Sequence, residues 1–348
     1  MGINGAAWWK IVVRELLGSV SMNLRNVVAS VSDIAMEIAV APSWSRIGFG
    51  ARSSLEEWNQ RPIPRMDGQV VVLTGFTSGI GLAGAQRLGE LGATLHLVGR
   101  DSSRVATTSE SLRGRGFDVR TSVAEMADLD AVRSIAAEII QTHDQVDVLV
   151  HNAGALSSAY TLSPQGFEMT VASQVVGPFL LTSLLLPVLG TEQSPGRVIT
   201  VSSGGMYAER LDLDRLLMGP DSYNGVRAYA RAKRAQVELN VEWSERRPSR
   251  VLFHAMHPGW VDTPGVVTSL PTFHAVTKPV LRTAAEGADT IVWLAGVDTA
   301  ELGSSGGFWL DRHRRNITKL PGTTAPPGER DRLWRWCSET SGLSPSTS

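Results

Sequence analysis

The chain has 348 residues, 43% hydrophobic and 19% charged, a composition that buries a large core and excludes a disordered chain. Its 33 Lys and Arg nearly cancel 34 Asp and Glu, so no long-range field gathers nucleic acid, and a nucleic-acid partner is disfavoured. The single cysteine, Cys337, excludes an intramolecular disulfide and a cysteine-built metal site, and fits a reducing compartment.

Residues 1–66 carry helix-spaced apolar positions, Ile11, Val12, Leu16 and Leu17, then Trp44, Phe49 and Trp58, and read as an appended helical arm. The first lysine, Lys10, follows the apolar Trp8 and Trp9, which is not the order of a secretory signal. The longest uncharged run in the arm, 16–24, falls short of the roughly 20 apolar residues that cross a bilayer. Trp8 and Trp9 have two readings, a membrane interface or docking on the protein's own core or a partner chain, and docking is preferred.

From residue 68 a regular alternation begins. GQVVVLT (68–74) is an apolar, β-branched run followed by a glycine-rich turn and a helical pattern from Leu82 to Leu91. Strands are then expected at 94–98, 117–123, 146–154, 196–203 and 250–259, with helices at 105–113, 129–142 and 229–246. Strands that are nearly continuously apolar and alternate with helices imply a parallel sheet covered on both faces, a doubly wound α/β domain. Residues 169–191, with FLLTSLLLPVL, raise the transmembrane question. Gln174, Gly177, Pro178 and several Ser and Thr interrupt the run, and a buried core helix is the preferred reading. A Pro/Gly-rich link, an amphipathic piece DRLWRWCSET and a polar tail close the chain; Trp334 and Trp336 are expected to pack structurally.

Thr74, Gly75, Gly79 and Gly81 form T-G-x-x-x-G-I-G between the first strand and first helix, enclosing Thr77, Ser78 and Ile80. Glycines there let the backbone approach a pyrophosphate whose charge meets helix N-terminal amides; the bland reading is a structural turn. The second strand ends Leu97-Val98-Gly99-Arg100. It has no acid to bond a ribose hydroxyl, and Arg100 offers a guanidinium for a 2′-phosphate, which favours NADP(H) over NAD(H). The competing reading is a solvated Arg100 or an ion pair with Asp101. Tyr229 and Lys233, four apart in YARAK, share a helix face, where an ammonium stabilises phenolate and lowers the phenol from about 10. Alone, that spacing is common and uninformative.

Taken in order, TGFTSGIG, HNAG (151–154), ITVSS (199–203), YARAK and HPGWVDT (257–263) resemble the short-chain dehydrogenase/reductase family over residues 67–310. The amino-terminal arm, VSSGGMY, GGFWLDRHRR and ERDRLWRWC resemble its branch called dehydrogenase/reductase family member 12. The resemblance implies a Rossmann-type fold in one catalytic domain, 67–320, flanked by the arm 1–66 and a cap and tail 321–348. It implies that Ser203 orients a carbonyl, Tyr229 transfers a proton, and Lys233 holds the nicotinamide ribose and tunes the tyrosine. It places Asn152, Ala153 and Gly154 beside the cofactor, Pro258, Gly259, Val261 and Thr263 around the nicotinamide, and Glu125 and Met126 near the adenine. Two departures follow. Gln174 stands where the family usually has an asparagine supporting a proton path to the lysine, and Glu125 replaces an aspartate.

His254 and His257 are expected on opposite faces without a third ligand, so no metal is assigned. The functional expectation is an NADP(H)-dependent oxidoreductase interconverting a carbonyl and an alcohol on an apolar small molecule. That substrate would enter beside Trp260 and residues 264–283. The alternative is a weakly catalytic or inactive NADP(H)-binding protein of the same fold. A cytoplasmic homo-oligomer is expected, with a membrane-peripheral contact through the arm as a further reading.

Overall fold

The β-branched run Val70–Thr74 forms β1, the third strand of an eight-stranded sheet, with all but its first residue buried beneath covering helices. This computed structural model describes residue 33 and residues 40–246 and 250–343, in two units, Met1–Pro62 and Ile63–Ser348. The positions Trp8, Trp9, Ile11, Val12, Leu16 and Leu17 lie outside the described residues. In the first unit, helices Val40–Trp44 and Arg46–Leu55 meet at Ser45, which caps the second by accepting from Ile47 N at 3.2 Å. Arg52 is buried and paired with Asp33 at 2.7 Å.

In the second unit β1 is followed by α1 (Gly79–Glu90), β2 (Thr94–Gly99), α2 (Ser102–Gly114), β3 (Val119–Val123), α3 (Leu129–Thr142) and β4 (Val148–His151). Then come α4 (Met169–Val188), β5 (Gly196–Val201), α5 (Gly225–Arg246), β6 (Val251–Met256), α6 (Ala284–Gly296), β7 (Gly307–Leu310), β8 (His313–Arg315) and α7 (Glu329–Thr340). The sheet order is β3-β2-β1-β4-β5-β6-β7-β8, parallel through β7. The six expected strands are present; β4, β5 and β6 end earlier than their apolar runs, which extend into turns, while β2 runs one residue further, to Gly99. The expected helix at 229–246 starts four residues sooner, at Gly225.

Two strands and a helix were not anticipated. β7 and β8 form an antiparallel hairpin whose two-residue turn, Asp311 and Arg312, has φ of 53° and 62°. That backbone suits a tight hairpin, but Asp-Arg lacks the glycine that would announce it. The helix α6 contributes Ile291, Val292 and Leu294 to the core on the α1 side of the sheet.

One core lies between the sheet and α1, α2 and α6, the other between the sheet and α3, α4 and α5. The apolar α4 belongs to the second, with Leu180, Leu181 and Leu185 fully buried. The carboxy-terminal α7 lies across α4 and α5, with Trp334 against Phe179 at 5.0 Å and Trp243 at 4.5 Å between ring centroids. Trp336 packs edge-on to Phe167.

Candidate active site

The strand order reverses between β1 and β4, and at that crevice the turns after β1 and β4 meet. Gly75 has φ of 76°, and a Cβ on it would lie 2.7 Å from Ala153 Cα; one on Gly81 would lie 2.2 Å from Gly75 O. Gly79 has φ of 55° and faces Thr263 of the turn after β6. These glycines therefore keep three turns in contact around a cradle that any side chain would fill. Thr74 closes it from below: its hydroxyl donates to Val150 O and accepts from the amides of Asn152 and Ala153, each at 3.1 Å. The Asn152 side chain donates to Thr74 O at 3.0 Å and Gly75 O at 2.9 Å. Thr74 and Asn152 are thus committed to holding the cradle, with their side-chain bonds used inside the protein. Ser78 sits at the N-terminus of α1 with no side-chain cap, and Ile80 packs partly buried against the core.

At the end of β2, a Cβ on Gly99 would lie 2.6 Å from Val105 Cγ2, so an acidic side chain there would have to displace Val105. Arg100 is exposed and pairs with Glu125 at 3.4 Å, whereas Asp101 caps α2 by accepting from Arg104 N at 2.9 Å. Arg104, which sequence reasoning missed, reaches the glycine-rich turn, donating to Thr77 O at 3.3 Å. Arg100 follows Gly99, which faces Thr77, and Arg104 in the first turn of α2 donates to Thr77 O, so both lie on the Thr77 side of the cradle. The signal was available in the sequence as a basic residue in the first turn of α2. Met126 is buried in the core, and what it offers near this edge is its carbonyl, packed so closely on Gly177 that a Cβ there would lie 2.0 Å away.

Ser203 follows β5 and caps a short 3-10 turn, accepting from Gly205 N at 3.3 Å. Tyr229 and Lys233 project from the first half of α5, a helix fastened to β5 by Ser202 Oγ donating to Lys233 O at 2.9 Å. The Ser203 hydroxyl lies near enough to the Tyr229 phenol to influence its ionisation. Lys233 Nζ lies 5.4 Å over the tyrosine ring centroid and donates to Val201 O at 2.8 Å. Burial pushes the Tyr229 phenol up to about 12, with the neighbouring Ser203 hydroxyl acting against it, and brings Lys233 down to about 7. The lowered phenol expected from the Tyr-Lys spacing is therefore not found. Desolvation of both groups outweighs the attraction that an ammonium exerts on a phenolate.

Gln174 is buried on α4, and its Nε2 donates to Ala155 O at 2.8 Å, next to Gly154. A Cβ on Gly154 would crowd both Gln174 Oε1 and Lys233 Nζ, so the departure from asparagine still brings an amide beside the lysine. His151, in the β4 end of the same motif, is buried with Nε2 against Thr182 Oγ1 at 2.7 Å, and burial holds it down to about 3.

The turn after β6 carries Pro258, Gly259 (φ 75°), Val261 and Thr263. Thr263 caps the short helix Pro264–Ser269, and Val261 bridges to Arg282. Arg282, a second residue missed in the sequence, donates to Pro258 O at 3.2 Å and forms a buried two-pronged bond to Asp311 at 2.5 and 2.8 Å. It thereby ties this turn to the β7–β8 hairpin. Trp260 stacks edge-on to Phe273 at 5.3 Å, giving the segment beyond Thr263 an apolar side. His254 accepts from the Trp309 indole and His257 stacks on Phe308; both are packing residues.

The cradle fits a dinucleotide: glycine backbone around its pyrophosphate, the N-terminus of α1 facing it, and Arg100 and Arg104 at one end. A family profile described as short chain dehydrogenase matches residues 69–272. Bovine dehydrogenase/reductase SDR family member 12 is 38% identical over 274 residues, 77% of this chain and 85% of that protein. Mouse retinol dehydrogenase 14 is 33% identical, covering 71% and 78%. The crystal structure of an uncharacterized protein from Mycobacterium Paratuberculosis superposes with a TM-score of 0.64 at 25% identity, covering 82% of this chain and 97% of that one. With its motifs converging on one crevice and this similarity spanning most of its length, the chain belongs to the short-chain dehydrogenase/reductase family of oxidoreductases, on the branch of the member 12 proteins.

Proposed function

We propose that the protein uses NADP(H) to interconvert a carbonyl and an alcohol on an apolar small molecule. The observation that carries the reading is the meeting of Ser203, Tyr229 and Lys233 beside a glycine cradle whose far edge holds Arg100 and Arg104. The nicotinamide group supplies the hydride. Gly75, Gly79 and Gly81 would hold its pyrophosphate, and the arginines its 2′-phosphate through charge-assisted bonds. Ser203 Oγ donates to the substrate oxygen and Tyr229 delivers the proton to it, a role suited to a phenol that remains protonated through the neutral range. Lys233 binds the nicotinamide ribose and returns charge balance when the phenol ionises. Trp260 and Phe273 present an apolar wall to the substrate.

The test is NADPH oxidation against a panel of aldehydes, ketones and retinoids, with Tyr229→Phe as control. Turnover that falls by about 100-fold or more in the variant supports the reading; equal turnover by both removes the proposed acid. The second reading, a nucleotide-binding protein without catalysis, draws on the raised phenol and on Lys233 being bonded to Val201 O. Tight NADPH binding with no turnover across the panel would establish it.

A further inference from the structure

Pro178 has no amide hydrogen, so the carbonyl four residues before it, that of Gln174, has no α-helical donor, and the proline ring crowds the same carbonyl. The helix accommodates this with a π turn over Ala172–Val176, closed by the Gly177 amide on Ala172 O. A side chain from another helix takes the Gln174 carbonyl: Gln236 of α5 donates to it through Nε2 at 2.6 Å. Gln236 follows Lys233 by three residues and Tyr229 by seven, which puts all three on one face of α5.

The Gln174 side chain leaves the same π turn. With Nε2 donating to Ala155 O, Oε1 is left facing inward, fully buried and without a hydrogen-bond partner among the described residues. A Cβ on Gly154 would lie 3.0 Å from that oxygen and 3.2 Å from Lys233 Nζ. An amide oxygen and an ammonium nitrogen thus converge on one corner that glycine leaves open. Lys233 spends one donor on Val201 O, and an ammonium has three. The other titratable groups facing it are the Tyr229 phenol on its own helix and His151 on β4, kept neutral by burial.

We propose that Gln236 is a positioning residue: by capping the Gln174 carbonyl it holds the π turn open and keeps Gln174 Oε1 aimed at the ammonium of Lys233. An oxygen facing an ammonium favours the charged form, so releasing it lowers the lysine's titration midpoint. The bearing on turnover rests on the role of Lys233 proposed above; the test does not.

The sequence has four lysines, Lys10, Lys233, Lys278 and Lys319, so full-length protein labelled with 13C at lysine Cε gives a spectrum simple enough to titrate. Loss of one resonance in Lys233→Met assigns it. Gln174→Met and Gln236→Met are each expected to lower the Lys233 midpoint by about one pH unit, and the double variant by no more than Gln174→Met alone. NADPH binding and thermal melts report folding, and Gln236→Asn, one methylene too short to reach the carbonyl, is the second variant should Gln236→Met not fold. An unchanged Lys233 midpoint in a folded Gln236 variant overturns the proposal, as does a double variant whose shift is the sum of the two. Absence of wild-type turnover would strike only the catalytic reading and leave the titration result standing.

Discussion

Lys233 meets Tyr229 through the face of the ring, 5.4 Å from its centroid, while its Nζ donates to Val201 O. Burial acts on the two groups in opposite directions, up to about 12 for the phenol and down to about 7 for the lysine. In carbonyl reduction both must carry their protons, so the lysine sets the limit. Reductive kcat is expected to fall as pH rises through about 7, and alcohol oxidation, which needs the phenolate, to increase toward high pH. Steady-state rates in both directions from about pH 6 to 10 check this. A reductive rate that stays level to pH 10 would contradict it.

The same lysine makes a prediction about stability. Its folded value of about 7 lies below the 10.5 of the free side chain, so between those values the unfolded chain binds more protons and stability rises with pH. Below about 7 the full cost of burying the charge is present. Lys233→Met, which removes that cost, is expected to stabilise the protein at pH 7 by an amount on the order of 1–3 kcal/mol, with the gain shrinking toward pH 9. Urea unfolding of both proteins at three pH values measures the difference, from which the other titrating groups cancel.

Arg100 and Arg104 lie on the Thr77 side of the cradle, and an acid in place of Gly99 would have to displace Val105. Arg100→Ala and Arg104→Ala are each expected to raise KM for NADPH about 5–10-fold with little change for NADH, and the double variant to erase the preference. Because phosphate contacts of exposed arginines are screened, the wild-type preference should weaken with added salt. A double variant that still prefers NADPH would require another phosphate site.

Trp334 is fully buried between Phe179 and Trp243 and fastens α7 over α4 and α5. Trp334→Ala is expected to destabilise the protein by about 3–5 kcal/mol, through lost burial and the cavity left behind. Removing residues 321–348 uncovers the apolar ground beneath, and the truncated chain should self-associate, as light scattering would show. A truncated chain that keeps the intact chain's association state, with an unchanged melt, would refute both expectations.

Much of the site was legible before folding. The glycines of the first turn show in a strand-turn-helix pattern, whereas Ser203, Tyr229 and Lys233 became legible through the ordered motifs that resemble a known family, since the four-residue spacing of Tyr229 and Lys233 is uninformative alone. Arg104 was as visible as Arg100, but its value depends on α2 turning its first residues back toward Thr77. Arg282 and Asp311, 29 residues apart, and Gln174 and Gln236, 62 apart, share no local pattern at all. Their pairing exists because separate elements are brought together at the carboxyl edge of the sheet. The β7–β8 hairpin escaped for a local reason, a turn with positive φ at two residues that are not glycine.

By itself the amino-acid sequence determined the alternation of elements, the parallel sheet and the residue types in the crevice, since hydrophobic period and glycine placement act over a few residues. The tertiary structure decided which of those residues keep free chemistry. It spends Thr74 and Asn152 on the cradle, buries Met126 in the core, and raises the Tyr229 phenol against the expected direction. Those outcomes depend on desolvation and on hydrogen-bond partners supplied from distant parts of the chain, which no short-range pattern encodes.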